Sequence, residues 1–343
     1  MGRAVKAANL LAAALRDPAS VQVLDARQWT ALLTVARAER LIGTLACRLD
    51  ARTVPPAAAR ILADARAGAE QERRAALWEA EMARRALAPL GVPVVLLKGT
   101  AFVAAGFDAG RGRSIGDLDI LVPRAALGAV ERALREAGWE AVKDDAYDDA
   151  YYRRWMHELP PLIHRERDRM IDVHHTILPP TARPTPDAGA LLADAVPLGN
   201  GLSILSPADM VVHAAAHLFA DGDLAGGPRN LWDIDRLLRE FAAADPGFWA
   251  RLDERAGRHE LRYAVGQAVR QAHLLYGTPV AAGWSTGRAT DLLYRRRLLV
   301  RDGWGRQGRA FTRLGFYVRS HWLRMPPLML ARHLWTKATR SQA

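Results

Sequence analysis

The chain has 343 residues, 50% hydrophobic, 25% charged and 7% aromatic, which excludes a disordered or low-complexity chain and suffices for two or three packed domains. A single cysteine, Cys47, excludes an internal disulfide, a zinc ribbon and a CxxC redox motif, and no apolar run is long enough to span a membrane, so a cytoplasmic protein is expected. The net charge of +11 is a property of the tail: Tyr294 to Ala343 holds eleven Arg and one Lys against one acid, Asp302, and leaves the preceding residues neutral overall.

Ala7 to Leu15 is apolar but short, and Arg16-Asp17 follows it directly, so a first helix is expected rather than a signal peptide. Helical spacing continues to about Ala88, with Trp78, Met82 and Leu87 expected in the core. At Gly91 the texture changes. Val92 to Leu97 reads as a buried strand, Ala101 to Ala105 as a helix, Asp108 to Gly116 as a loop and Leu118 to Val122 as a second strand. A helix over Ala125 to Ala137 should end at Gly138, with a strand over Trp139 to Lys143 beyond it. After an irregular Asp/Tyr-rich stretch, Leu162 to His164 and Met170 to Ile177 are expected to pair as strands. Five prolines make Pro179 to Gly201 an irregular linker, and helices are expected over Ser206 to Phe219, Asn230 to Ala243 and Phe248 to Tyr276. The expected fold is α+β: a small mixed sheet (residues 89–180) between helical regions at 1–88 and 181–293, with a basic helical tail at 294–343.

Chemistry-bearing residues concentrate between Lys98 and His174. Leu97-Lys98-Gly99-Thr100 joins a strand to a helix, where free N–H groups of a first turn can meet a phosphate. It is not a Walker loop, because Lys98 precedes Gly99 and the spaced glycine is missing. Asp117-Leu118-Asp119 then opens a strand; carboxylates at i and i+2 face one side and can converge on one divalent cation while Leu118 points into the core. Met170-Ile171-Asp172-Val173-His174 places a third acid inside an apolar strand, with His174 on its face. Three acids on neighbouring strands either lie at an exposed sheet end or hold metal. Arg111 and Arg113 precede the acid pair and are candidates for phosphate contact. His213 and His217 have the i, i+4 spacing of metal ligands, and with Asp233 they form a candidate second site whose plainer alternative is a His–Asp hydrogen bond between two helices.

These motifs resemble the uncharacterised nucleotidyltransferases of the DNA polymerase β-like superfamily, whose members read LKG, then R-x-x-x-D-x-D-x-L-V, then D-x-H. The matching residues are Leu97 to Gly99, Arg113 to Val122 and Asp172 to His174, and the likeness continues through His213, His217 and Asn230 to Ile234. Thr100 stands where the wider superfamily has Gly or Ser. The resemblance implies a nucleoside triphosphate bound by Lys98, Gly99, Thr100, Arg111, Arg113 and His174, and a two-metal Mg²⁺ site on Asp117, Asp119 and Asp172. It implies transfer of a nucleoside monophosphate to a hydroxyl, with release of pyrophosphate. The acceptor is left open among small molecules, natural products, peptides and proteins. The alternatives are a nucleotide-binding module without turnover and template-independent extension of RNA; the neutral body of the chain argues against nucleic acid. The basic tail reads either as packed helices with solvated Arg residues or as an element docking on an acidic membrane.

Overall fold

The computed structural model describes residues 4–142, 152–325 and 330. Lys143, the Asp/Tyr-rich segment through Tyr151, and the tail beyond Met325 apart from Leu330 lie outside the described residues.

The described residues form seven short strands: β1 Val95–Leu96, β2 Asp117–Leu121, β3 Trp139–Ala141, β4 Leu162–His164, β5 Met170–His174, β6 Val196–Pro197 and β7 Ser203–Ile204. They form one mixed sheet in the order β3-β4-β5-β2-β1-β7-β6. Its centre is the parallel pair β2·β5, in which Asp117 lies opposite Met170, Asp119 opposite Asp172 and Leu121 opposite His174. β1 runs antiparallel to β2 and parallel to β7, while β4 runs antiparallel to β3 and β5 through the pairing expected across Arg165 to Arg169. Ile120, Leu121, Val122, Ile171 and Val173 are buried, as central strands covered on both faces require.

Helices α1 Ala4–Arg16, α2 Ala26–Ala38, α3 Ile42–Arg48 and α4 Pro56–Leu87 precede the sheet, and α5 Lys98–Ala104 and α6 Leu127–Glu136 lie within it in sequence. Then follow α7 Ala188–Ala193, α8 Pro207–Ala215, α9 Gly227–Ala244, α10 Phe248–Arg258, α11 Arg262–Tyr276, α12 Asp291–Leu298 and α13 Ala310–Arg324. Local signals explain several boundaries. Asp25 and Gln28 form a reciprocal capping box on α2, Ser206 caps α8 before Pro207, and Gly277 ends α11 with φ +67°. Among the described residues the main apolar core runs from Ala7 through the strands to Phe316, with a small separate cluster of Ala76, Val103 and Ile115.

The structure corrects three expectations. Trp78 is not a core residue but 54% exposed, because α4 buries the stripe Ala76, Ala80, Ala83 and Leu87 and Trp78 falls on the opposite face of the helix; Leu87 is buried and Met82 packs partly on the core. The proline-rich stretch 179–201 is not wholly irregular, since α7 and β6 form within it and β7 follows to extend the sheet. The first strand shrinks to Val95–Leu96, as Pro93 has no N–H to donate, and α5 begins at Lys98 rather than Ala101.

Helix α4 fixes the loops that carry the acids. Its Glu72 carboxylate accepts from the Ile115 N–H at 3.0 Å just before β2, and its Glu79 accepts from Arg167 at 2.7 Å in the β4–β5 turn.

Candidate active site

Asp117, Asp119 and Asp172 come together at the mouth of the parallel pair, each offering a carboxylate oxygen within 4.8 Å of the others. Register produces this arrangement: Asp119 and Asp172 are direct partners across β2·β5, and Asp117 lies two residues back on the same face. Leu118 points into the core, as alternation predicts. Asp117 is exposed, Asp172 half-buried and Asp119 buried. Burial, then the neighbouring charges of Asp119 and Glu158, push the Asp172 carboxyl up to about 7.

Asp119 stays ionised inside the fold because two donors meet it. Lys98 Nζ lies 2.5 Å from Oδ1, and His174 Nε2 lies 3.0 Å from the same oxygen. Burial opposes its charge, but Lys98 and His174 outweigh that and hold the carboxyl far below the usual range. Burial likewise opposes the Lys98 ammonium, and Asp119, Asp117 and Glu158 outweigh it, holding the amine above its ordinary value. Lys98 reaches this position by adopting φ +47°, which turns the chain from β1 straight into α5.

The structure places the rest of the strand-to-helix turn differently from a simple phosphate cradle. A Cβ on Gly99 would fall 1.8 Å from Arg113 Nη1, so the close approach that requires glycine is made by this guanidinium. Thr100 is buried, and its hydroxyl has no hydrogen-bond partner among the described residues. Arg113 donates through Nε to Asp233 at 3.0 Å. Arg111 is not brought to the acids: it is exposed, pairs with Asp108 and lines clefts beside Cys47.

Next to the acids opens a cavity of about 530 Å³ whose wall includes Lys98, Phe102, Arg113, Asp117, His213, His217, Arg229, Asn230, Asp233 and Arg301. Among its titratable lining residues other than His, five are basic (Arg40, Lys98, Arg113, Arg229, Arg301) and three acidic (Glu39, Asp117, Asp233), so the lining favours an anion. Arg229, which sequence reasoning did not single out, lies 3.3 Å from Asp233 and donates to Thr44 at 3.2 Å; burial lowers its guanidinium to about 10. Asp233 is thus shared by Arg113 and Arg229. The expected His–Asp link is not found: among the described residues no hydrogen bond joins His213 or His217 to Asp233, and these three do not form a metal-ligating cluster. Both histidines face the cavity instead, held neutral by burial and then by the Lys98 charge; His217 is lowered to about 4.

His157 and Glu158 were also missed. They lie at the end of a stretch with no periodic signal, and are drawn to β5 by a bridge between Glu158 and His174 and by the Leu159 N–H donating to Val173 at 2.9 Å.

The donor set of the acid cluster fits Mg²⁺: three hard carboxylates converge, and Asp119 retains Oδ2 free of hydrogen bonds among the described residues. Burial, then the charges of Asp119 and Glu158, raise the Asp172 carboxyl, and a dication would offset both.

A family model described as uncharacterised nucleotidyltransferase matches residues 25–277, which takes in every strand, the three acids and the cavity wall as far as Asp233. No curated protein matches the chain. No helix among the described residues is long and apolar enough to cross a membrane.

Proposed function

Since the chain belongs to the uncharacterised nucleotidyltransferase family, we propose that it transfers a nucleoside monophosphate from a nucleoside triphosphate to a hydroxyl of a small-molecule, peptide or protein acceptor, in a Mg²⁺-dependent reaction. The observation that carries this reading is the convergence of Asp117, Asp119 and Asp172 beside a cavity lined by Lys98, Arg113 and Arg229. Asp117, Asp119 and Asp172 would hold the metal, which when bound neutralises and aligns the phosphates.

The chain's own groups account for the remaining requirements. Arg113, Arg229 and Lys98 receive the negative charge of the phosphates, and Asp233 keeps the two guanidinium groups oriented without cancelling both. The acceptor oxygen attacks the α-phosphorus; the new O–P bond forms as the bond to the bridging oxygen breaks, and pyrophosphate leaves. Asp172, at the edge of the acid cluster, is placed to take the hydroxyl proton. The neutral imidazoles of His213 and His217 offer hydrogen bonds to an acceptor or base on the far wall.

A specific observation favours a second reading, a nucleotide-binding module without turnover: Lys98 supplies Asp119 with a positive charge that in an active site a metal would supply. Titration of ATP, GTP, CTP and UTP with Mg²⁺, read by calorimetry and pyrophosphate release, separates the two. The wild type should bind at least one nucleotide and the Asp117→Ala/Asp119→Ala variant should bind it much more weakly. Equal binding by both sinks the site assignment. Mg²⁺-dependent binding without pyrophosphate release from any acceptor pool favours the module. Extension of RNA by labelled nucleotide would instead establish the nucleic-acid reading, for which the cavity wall supplies one aromatic platform, Phe102.

A further inference from the structure

We propose that His157, Glu158 and His174 form a second cation site, distinct from the acid cluster and suited to a zinc-class divalent metal. Asp119 fixes the tautomer of His174. Its Nε2 lies 3.0 Å from Asp119 Oδ1, and a carboxylate can only accept, so Nε2 carries the proton. The other nitrogen, Nδ1, then presents a lone pair. It is buried in a side chain that is 1% exposed, has no hydrogen-bond partner among the described residues, and lies 3.4 Å from Glu158 Oε2.

A lone pair facing a carboxylate is repulsive, so something positive belongs between them. A proton would satisfy two bases, but three converge here. His157 Nε2 lies 3.9 Å from the same Glu158 oxygen, its ring stands 5.2 Å from that of His174, and one ligand atom from each of the three residues lies within 4.8 Å of the others. A tetrahedral cation about 2.0–2.1 Å from nitrogen and oxygen holds its ligand atoms roughly 3.4 Å apart, close to these separations. Two imidazoles and one carboxylate suit zinc, cobalt or ferrous ions better than magnesium, which prefers oxygen alone.

The outer partner is also in place. A metal-bound imidazole commonly donates its second N–H to a carboxylate that fixes the tautomer, and Asp119 does this for His174. Asp119 would therefore serve both sites, through Oδ2 at the acid cluster and through Oδ1 and His174 at the second. The metal would clamp the His157 to Leu159 segment onto β5 and hold the Asp119 carboxylate in position; it takes no part in bond making.

The test uses tag-free full-length protein stripped with chelator and then saturated with Mg²⁺ to fill the acid cluster. Co²⁺ is added, bound metal is counted after dialysis, and affinity is read from visible absorption. One equivalent of Co²⁺ should remain in the wild type and in Asp117→Ala, with bands of a nitrogen-ligated ion. Glu158→Gln and His157→Asn should each weaken Co²⁺ at least about tenfold, with circular dichroism of the metal-free variants unchanged. Failure of the Mg²⁺-saturated wild type to retain Co²⁺ overturns the proposal without reference to any variant. So does retention that Asp117→Ala abolishes and Glu158→Gln leaves intact.

Discussion

The Lys98 ammonium lies 2.5 Å from Asp119 Oδ1, an ion pair buried on the Asp119 side, at the place where the strand carrying Asp117 and Asp119 meets the helix that follows β1. The lysine balances a carboxylate that would otherwise be stranded in the core, and it leaves the second oxygen for a cation. Lys98→Met should therefore destabilise the metal-free protein by on the order of 3 kcal/mol, the cost of leaving one member of a buried pair without its partner. Mg²⁺ or Mn²⁺ at millimolar concentration should recover more of the melting temperature in this variant than in the wild type, because the metal replaces the missing charge. Thermal melts with and without metal decide it; equal shifts in both proteins would show that Asp119 does not face the cation.

Asp172 sets a pH dependence of opposite sign in the free and bound forms. Its folded carboxyl near 7 stands above the ordinary 3.8. Its contribution to stability is therefore fully present below about 3.8 and is lost as pH rises through about 7. A bound dication competes with that proton, so the stabilisation by Mg²⁺ should be slight at pH 5.5 and should grow through pH 7 to 8. Asp172→Asn should flatten this growth. Melting temperatures measured across that range, with and without Mg²⁺, give both slopes.

The acids were legible because strand alternation and the D-x-D spacing are local: Asp117, Asp119 and Asp172 follow from the pattern of their own strands. Their mutual placement is not local. That Asp119 lies opposite Asp172 depends on the parallel register of β2 and β5, with β2 packed against α4. Strands as short as Val196–Pro197 carry no measurable period, so this edge of the sheet falls within the stretch expected to be linker. Arg229 stands in Pro228-Arg229-Asn230 without any spacing signal, and only the fold shows that it shares Asp233 with Arg113. Lys98 was read as part of a phosphate turn; its left-handed backbone, which aims the ammonium at Asp119, is not signalled by a residue type that normally avoids positive φ.

Gly99 and Arg113 should behave as one unit. A methyl group at position 99 overlaps the Arg113 guanidinium, which is tied to Asp233 and cannot move aside without breaking that pair. Gly99→Ala and Arg113→Ala should each reduce nucleotide affinity, by about 1.5–3 kcal/mol if a charge-assisted contact is lost. The double variant should be little worse than either alone, since the first change already displaces the side chain that the second removes. Additive losses in calorimetric titration would mean that Gly99 acts through its own backbone.

The described part of the basic tail packs against the body, in part through Arg301. Tyr294, Leu298, Leu299 and Phe316 are buried, and Arg301 Nε meets the buried Glu39 carboxylate at 2.6 Å. A chain cut before Tyr294 should lose its cooperative melting transition. The point variant Arg301→Ala isolates the ionic part of this attachment. Burial already raises the Glu39 carboxyl, and Arg301 is the group that restrains it. Without Arg301 the carboxyl rises further, and a group raised in the folded state gives stability at low pH that is lost as pH increases. The deficit of Arg301→Ala relative to the wild type should therefore be small near pH 4.5 and should widen to about 3 kcal/mol by pH 8, the usual scale for an orphaned buried charge. Denaturant unfolding at the two pH values measures it. A deficit independent of pH would assign the loss to packing of the Arg301 side chain rather than to its charge.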